Sequence, residues 1–498
     1  KFTVDESTEI PDCFIDLNLD QVIDSITDRK QEYNLKPFFH SPLQELDAIN
    51  YRQDVFKDLQ DGSVFKAIKV FAEKMVLVRR YLKMIEKLYF KYHQEGWFLE
   101  AAVIYCEAVQ SLVGNLKEAP IKSKGLVDFL AYTSEYISSP DFLSLQTDSL
   151  ERKTDLSTIQ YSVIIKGNWV RVRKYESEID YSKEVEKTFE KFKQGEVKNY
   201  RINLLVSSGM NYVEAQIVDC VAKLYPDIFK ELDLYFLKHR GFMDNVILTF
   251  DRQIQFFVSN IEFIENLKGK GLAFCYPRVT KKKAIHAKET FDIALANKRI
   301  FESIPVICND FYLEGRERIF VVSGPNQGGK TTFARMFGQL HYLASIGCPI
   351  PGKEATLFHY DRIFTHFEKE EDIRNLRGKL QDDLVRIHGI LETATSDSII
   401  IMNEIFTSTT LQDAIFLSKE IIQKIIRLDA LAVCVTFIDE LSTLSEQTVS
   451  MVSTVVPENP TQRTFKILRL PADGLSYAIC IAEKHHLTYN LIKERILQ

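Results

Sequence analysis

Apolar side chains recur at intervals of three and four residues through much of the first 280 positions, which is the spacing of one helix face. The pattern predicts helical segments over residues 63–92, 98–114, 182–194, 213–239 and 245–267. Gly96 is expected to break the pattern between the first two segments. Gly269 and Gly271 are expected to end the last one. This part of the chain is therefore predicted to consist mainly of long helices.

Residues 159–176 follow a different pattern, in which polar side chains alternate with β-branched and aromatic ones. This period of two is typical of a β-strand with two unlike faces. Lys166, Gly167 and Asn168 lie between the two alternating runs and suit a tight turn. A small β-hairpin is therefore predicted inside the helical region.

From about residue 284 the chain changes to short apolar runs that alternate with helical patterns. The runs predict buried strands at Ile319–Ser323, 398–402 and 432–436. The intervening patterns predict helices at 331–345, 375–393 and 410–427. Such alternation is typical of an α/β domain with a parallel sheet.

Composition narrows the class of protein further. The 498 residues are 45% hydrophobic and 27% charged, which predicts a soluble protein of two to four domains. Without an apolar run of about 18 residues, a Cys-x-x-Cys pair or a secretory signal, the chain is expected to be cytoplasmic, with its eight cysteines reduced. The formal net charge of −6 gives no overall support for nucleic-acid binding, which must depend on local basic patches.

One short motif carries the clearest chemistry, and we call residues 324–329 the glycine-rich loop. Gly324, Gly329, Lys330 and Thr331 fit the G-x-x-x-x-G-K-[ST] phosphate-binding pattern between a predicted strand and a predicted helix. Lys330 is expected to reach the terminal phosphates of a nucleoside triphosphate, and Thr331 to hold Mg²⁺. The predicted nucleotide-binding residues are Gly324, Pro325, Asn326, Gln327, Gly328, Gly329, Lys330, Thr331 and Thr332.

A second strand should complete such a site. The apolar run at 398–402 ends in Asn403 and Glu404. Glu404 is predicted to orient or deprotonate an attacking water, and Asn403 to lie on the metal side together with Thr331. Because a neutral amide attracts Mg²⁺ less than a carboxylate does, we expect weaker Mg²⁺ binding or slower turnover than with aspartate at this position.

Several segments together resemble the MutS family of DNA mismatch-repair ATPases. The glycine-rich loop with Lys330, Thr331 and Thr332 is similar to that family's phosphate loop. Matching order and spacing extend over about 285–498, through residues 361–365, Ser408-Thr409 with Asp413, 475–478 and 492–495. A looser likeness to the family's core domain begins at Pro42-Leu43, Ala48-Ile49 and residues 52–56.

The resemblance implies an ABC-like P-loop ATPase joined to a mostly helical core and lever region with a small β-hairpin clamp. It implies a helical core at 1–150, a reduced clamp at 151–210, lever helices at 211–284 and an ATPase domain with a C-terminal dimerisation segment at 285–498. Lys330 and Glu404 would be catalytic in a DNA-bound homodimer with composite ATP sites. The residues implied at the dimer interface are Gly378, Ser408, Thr409 and Asp413.

The sequence departs from the family pattern at three positions. Asn403 replaces an aspartate, Phe437 replaces a histidine after Thr436, and Gly378 replaces a serine. With these changes, we still expect nucleotide binding, and we expect hydrolysis to be slow. Residues 98–100 have the letters of the family's Phe-x-Glu mismatch-reading motif, but they lie in a stretch predicted to be helical. Phe98 is therefore predicted to be a helix-packing residue, and base-specific mismatch recognition is not expected.

The predicted hairpin carries the candidate DNA contacts Arg171, Arg173 and Lys174. Arg171 and Arg173 should share one face with Trp169 and could contact phosphates without reading sequence. A solvated strand face is the equal alternative, and residues 281–283 are predicted to be a solvated basic linker. Two other functions stay open: a non-hydrolysing scaffold switched by ATP, and an ABC-like ATPase that acts on a protein or RNA partner.

Overall fold

The computed structural model describes residues 9–167, 169–177, 210–300, 302, 304–368, 378–456, 459–472, 488–489 and 492–493. The chain divides into two compact units, one formed by Lys1–Asp58 with Arg252–Gln498 and the other by Leu59–Asp251. The first 58 residues thus belong to the same unit as the second half of the chain. The predicted four-segment division has other boundaries and stays a prediction.

The described chain opens with short helices and continues into a helical unit. The elements, numbered in chain order, are α1 (Cys13–Leu17), α2 (Leu19–Thr27), α3 (Lys36–His40), α4 (Leu46–Asp58), α5 (Gly62–Ile85), α6 (Lys91–Glu118), α7 (Lys124–Tyr136), α8 (Pro140–Ser157), β1 (Tyr161–Lys166), β2 (Trp169–Lys174), α9 (Tyr212–Leu224), α10 (Pro226–Lys238) and α11 (Asn245–Lys268). Helices thus occupy most of each stretch predicted as helical before residue 280, although their bounds differ, and residues 182–194 lie outside the described part.

The predicted break at Gly96 is wrong. Helix α6 runs through Gly96, and the chain leaves helical structure earlier, at residues 86–90. One glycine inside a helix costs about 1 kcal/mol, which the burial of α6 side chains such as Leu99, Tyr105 and Leu112 outweighs. The segment predicted over 213–239 is in turn two helices, because Pro226 disfavours helical geometry at Tyr225.

Phe98 is a packing residue, as predicted. Its side chain is buried and meets Phe236 and Phe242 edge-on, with ring centroids 4.8 and 5.4 Å away. Glu100 bonds to Lys153 at 3.1 Å. These contacts hold α6 against its neighbours within the helical unit.

The hairpin forms as the alternating pattern predicts. Strands β1 and β2 pair antiparallel, with Ile164 opposite Arg171 and Lys166 opposite Trp169. Gly167 has φ +56°, the left-handed conformation that a tight hairpin turn requires. Asn168 lies outside the described residues.

The other unit is a mixed α/β structure. Its further elements are β3 (Phe274–Cys275), β4 (Arg278–Thr280), β5 (Ile285–Thr290), α12 (Ile293–Lys298), β6 (Asn309–Leu313), β7 (Ile319–Ser323), α13 (Lys330–Ser345), β8 (Ile350–Pro351), β9 (Glu354–Phe358), β10 (Ile363–His366), α14 (Lys379–Thr393), β11 (Ile399–Asn403), α15 (Leu411–Leu428), β12 (Leu431–Val435), β13 (Thr448–Val456) and β14 (Asn459–Leu468). Strands β4, β9, β5 and β6 form one sheet in that order, and β3 pairs with β8. Within the described residues no helix has the length and apolar character needed to cross a membrane.

A six-stranded sheet positions the site. Its order is β10–β11–β12–β7–β13–β14, parallel except for β14. Phe320 and Val322 face the core shared with Phe337 of α13, whereas Ile319 and Val321 face the core shared with α14 and α15. The sheet is therefore buried on both faces, as its continuous apolar strands predict. The carboxyl ends of its parallel strands meet at one edge.

The basic stretch at 281–283 differs from the prediction at one residue. Lys281 and Lys282 are exposed. Lys283 is mostly buried and donates to the backbone oxygen and carboxylate of Asp429, at 2.7 and 2.8 Å. Arg318 donates to the same carboxylate at 2.7 Å. Lys283 is therefore part of a structural ion-pair cluster and not of a solvated linker.

Candidate functional site

The glycine-rich loop connects the end of β7 to the start of α13 and packs directly on β13. Gly324 has φ +110°, and a side chain there would place its Cβ 2.8 Å from the backbone oxygen of Ser453. A Cβ on Gly328 would lie 2.1 Å from the Ser453 hydroxyl, which donates to the Gly328 carbonyl at 2.8 Å. The loop therefore needs glycine at both positions to keep its path beside β13.

Lys330 begins α13, and its side chain lies inside the loop. It is 4% exposed, and its Nζ donates to the carbonyls of Gly324 and Pro325 at 3.0 and 3.1 Å. Burial lowers the pKa of Lys330, while the charge of Glu404 opposes the shift and that of Arg463 adds to it. The ammonium is thus held at the loop by neutral carbonyls, which an anion can replace.

Thr331 and Asn403 are brought together from the two predicted halves of the site. The Thr331 hydroxyl donates to Asn403 Oδ1 at 2.9 Å, across 72 positions of sequence. Asn403 is 8% exposed, at the end of strand β11. Both side chains offer oxygen ligands, which suit Mg²⁺, and both are neutral. The donor set therefore fits a magnesium ion whose charge is balanced mainly by phosphate.

Glu404 follows directly on Asn403 and lines a cavity that Thr331 and residues of the glycine-rich loop also line. Its backbone has φ +54°, and its N–H donates to the Val435 carbonyl of the neighbouring strand β12 at 2.9 Å. A left-handed conformation in a residue other than glycine is uncommon and is often found at functional sites. The turn after β11 thus directs a half-buried carboxylate towards the loop.

The cavity has a volume of about 280 Å³. Its lining includes residues 326–332 and Glu404, together with Leu295, Arg299, Ile307, Asn309 and Phe465. Sequence motifs do not indicate this last set, because its members come from separate segments of the chain. Gly324 and Pro325 contribute carbonyls to Lys330 and are not among the cavity-lining residues.

Phe437 stands close to Lys330. Its ring centroid lies 4.8 Å from Lys330 Nζ, and the residue is 51% exposed. The preceding Thr436 donates its backbone N–H to the Val322 carbonyl at 3.0 Å, which fixes the end of β12 beside β7. An aromatic ring at this position can hold a cation but cannot donate a hydrogen bond to a nucleotide.

The residues predicted at a dimer interface lie at the beginnings of two helices and outside the cavity lining. Gly378 is the exposed N-cap of α14. Ser408 is exposed, whereas the Asp413 carboxylate accepts from Thr410 at 2.8 Å and from Thr409 at 3.4 Å as part of the cap of α15. Residues 475–478, and all of 492–495 except 492 and 493, lie outside the described part of the chain.

The candidate DNA contacts on the hairpin are distributed over both of its faces. The strand register puts Trp169, Arg171 and Arg173 on one face, as predicted, and Lys174 on the other. Arg171 is exposed, Arg173 lies 3.9 Å from Glu176, and Lys174 stands over the Tyr225 ring at 5.0 Å. Contact with DNA stays a prediction.

Residues 320–495 match the family model described as MutS domain V. The match begins in strand β7 and includes the glycine-rich loop, Lys330, Asn403-Glu404 and Phe437. It supports a relationship to the MutS family, whose members bind DNA and work as dimers. Because domain V is that family's ATPase domain, the match implies an ATP-binding function related to DNA mismatch repair.

Proposed function

We propose that the chain is a MutS-like P-loop ATPase that binds ATP with Mg²⁺ through the glycine-rich loop, Lys330, Thr331 and Asn403. The observation that carries the proposal is the 2.9 Å contact of Thr331 with Asn403, beside a buried Lys330 and next to Glu404. Two strands that are distant in sequence thus direct the side chains a phosphate–magnesium site requires to one edge of the sheet.

Each side chain has a definite part in this function. Lys330 exchanges the carbonyls of Gly324 and Pro325 for phosphate oxygens, and the amides of the loop and of the first turn of α13 bind the same anion. Glu404 orients the attacking water and accepts its proton. Mg²⁺, when bound, supplies positive charge at the phosphate oxygens.

Slow hydrolysis is part of the proposal. Asn403 places a neutral amide where a carboxylate would attract the metal more strongly. Phe437 occupies the space over Lys330 without a hydrogen-bond donor for the nucleotide. We therefore expect tight nucleotide binding combined with low turnover.

The proposal extends to assembly and to the partner. Two copies are proposed to form composite ATP sites through Gly378, Ser408, Thr409 and Asp413, and to close around DNA without reading bases. The hairpin is proposed as the clamp, because its exposed Arg171 and Trp169 share one face. Such contacts would be to phosphates and hence not specific for sequence.

The test compares wild type with Lys330→Ala and Glu404→Gln in ATP-binding and steady-state ATPase assays. Lys330→Ala is expected to abolish ATP binding, whereas Glu404→Gln retains binding and loses turnover. Lys281→Ala, which removes an exposed lysine of the same unit, is the matched control and should match wild type. Unchanged ATP binding by Lys330→Ala would contradict the proposed site.

The second candidate is an ATP-switched scaffold that binds ATP without hydrolysing it. The 4.8 Å contact between Phe437 and Lys330 favours this candidate, because it restrains the lysine without adding a catalytic group. Turnover by wild type that is no faster than by Glu404→Gln would establish the scaffold and reject the enzyme.

A further inference from the structure

Asp16 of helix α1 joins the helix that begins at Lys330 to the edge strand of the sheet. Arg335, on the second turn of α13, donates from Nε to the Asp16 backbone oxygen at 2.9 Å. Thr365 of β10 donates its hydroxyl to Asp16 Oδ2 at 2.7 Å. The Arg335 guanidinium also lies 5.5 Å from the ring centroid of Phe367, just after β10. One residue of the N-terminal segment therefore receives a hydrogen bond from each of two elements of the ATPase half.

The end of β10 is connected in turn to helix α14. Buried His366 lies 3.2 Å, through Nε2, from the carboxylate of Asp383, which is itself mostly buried. Arg386 donates from Nη1 to the Phe367 carbonyl at 3.4 Å. Both contacts join α14 to the two residues that follow Thr365.

A third contact, an ion pair between Lys379 and Glu368, shows how α14 is oriented. Lys379, Asp383 and Arg386 are spaced by four and three residues and so share one helix face. That face follows the residues leaving β10, while Ile387 packs into the core beneath. These contacts therefore link the position of the N-terminal end of α14, at Gly378, to the position of the residues that follow β10.

Helix α1 is packed closely on α13. A Cβ on Gly338 would lie 2.6 Å from a methyl group of Leu17, which shows how closely the two helices approach here. Gln339 donates to the Leu17 backbone oxygen at 2.8 Å. Packing of this density transmits displacement from one element to the next.

We propose that Asp16 is a positioning residue that couples helix α13 to helix α14. Occupation of the nucleotide pocket then changes the position of the N-terminal end of α14, at Gly378. The inference rests on the proposed ATP site. When phosphate replaces the carbonyls around Lys330, the first turns of α13 respond. Arg335 lies four residues after Thr331, on the same face of the helix, and passes the change to Asp16 and Thr365.

The test measures hydrogen exchange of the α14 amides with and without MgATP, alongside ATP affinity and turnover. In wild type, MgATP should change exchange across residues 379–393. Asp16→Ala should keep ATP affinity within about twofold while the α14 response, and kcat at unchanged KM, fall by about 3- to 30-fold. Thr365→Val, which removes the donor from the other side, should act in the same way.

Two matched variants separate coupling from stability. Asp16→Asn keeps an accepting oxygen for Thr365 and should restore most of the response. Asp12→Ala removes an equal charge from the exposed N-cap position of the same helix, where the side chain makes no capping hydrogen bond. It should behave as wild type.

The outcomes distinguish the two hypotheses. If ATP binds normally and the α14 response of Asp16→Ala equals that of Asp12→Ala, the coupling is wrong and the proposed ATP site stands. If wild type itself fails to bind ATP, the proposed function fails, and the coupling is overturned with it.

Discussion

The glycine-rich loop and the β-hairpin are both candidate sites for phosphate groups, yet they are built in opposite ways. At the loop, Lys330 is 4% exposed, and neither Gly324 nor Gly328 has room for a Cβ against Ser453. On the hairpin, Trp169 is 80% exposed, and both strand faces carry exposed side chains. The loop is packed against other residues of its own chain, whereas the hairpin is an exposed surface whose contacts require a partner.

Because the two regions differ in burial, they also differ in how strongly their positive charges attract an anion. Lys330 is buried, which lowers the pKa of its ammonium and places its charge in a region of low dielectric, where an anion is held strongly. The exposed Arg171 lies in water, where salt screens its interactions beyond about 10 Å at 0.1 M ionic strength. We therefore expect ATP binding at the loop to depend on the shape of the loop, and DNA binding at the hairpin to depend on salt concentration.

Among the changes that test this comparison, the largest effect is expected from Gly328→Ala, which tests whether shape controls the loop. The new methyl group would lie 2.1 Å from the Ser453 hydroxyl and 3.0 Å from the Pro325 carbonyl, so the loop must shift. We expect about 3 kcal/mol of lost binding, which is about 100-fold in ATP affinity. Titration with a fluorescent ATP analogue measures this loss.

Gly389→Ala is the control for this prediction. Gly389 is exposed inside α14 and has nothing within 4 Å of its Cβ position, so alanine should stabilise the protein by about 1 kcal/mol without changing ATP affinity. Adding Ser453→Gly to Gly328→Ala removes the nearest obstacle and should restore part of the affinity. If Gly328→Ala binds ATP as wild type does, close packing at the loop does not determine ATP affinity.

How far the sequence predicts these regions depends on whether the relevant contacts are local. The loop, its flanking strand and helix, and the hairpin turn at Gly167 follow from short motifs and periodicities, and all are present. The partner of Lys283 is Asp429, 146 positions away, and no local pattern indicates that pairing. The far lining of the cavity, including Leu295 and Phe465, is assembled from distant segments in the same way.

At Gly96 the sequence signal is local, but it is too weak to end the helix. Its conformational cost is about 1 kcal/mol, and the buried side chains of α6 exceed that cost only because the rest of the helical unit covers them. The pairing of Thr331 with Asn403 lies between these cases. Motif chemistry predicts that they meet, whereas the 2.9 Å contact depends on the strand order β11–β12–β7.

The second prediction tests the hairpin side of the comparison. Replacing both Arg171 and Arg173 with alanine should weaken binding to duplex and branched DNA about tenfold at 0.2 M salt. The slope of log K against log salt should become less negative by about 1.8, since each phosphate contact contributes about 0.9. ATP affinity should not change, because the glycine-rich loop binds ATP without help from the hairpin.

The control for the hairpin is Lys281→Ala with Lys282→Ala, which removes two exposed positive charges elsewhere. An equal loss of DNA affinity in this control would indicate a general charge effect and reject the hairpin as the contact. A wild-type protein whose weak DNA binding is independent of salt would reject DNA clamping and favour a protein or RNA partner.

The smallest effect is expected from Asn403→Asp, which changes the charge at the loop site while preserving its shape. Aspartate is nearly isosteric with asparagine and can accept the same 2.9 Å hydrogen bond from Thr331. The added charge should strengthen the attraction for Mg²⁺ by about 1 kcal/mol, a factor of about five. We therefore expect half-maximal ATPase activity at about fivefold lower Mg²⁺, or a comparable rise in kcat, measured in a Mg²⁺ titration at saturating ATP. If both values stay at the wild-type level, the neutral amide does not limit the site, and slow turnover must have its cause at Phe437 or at the partner's contribution.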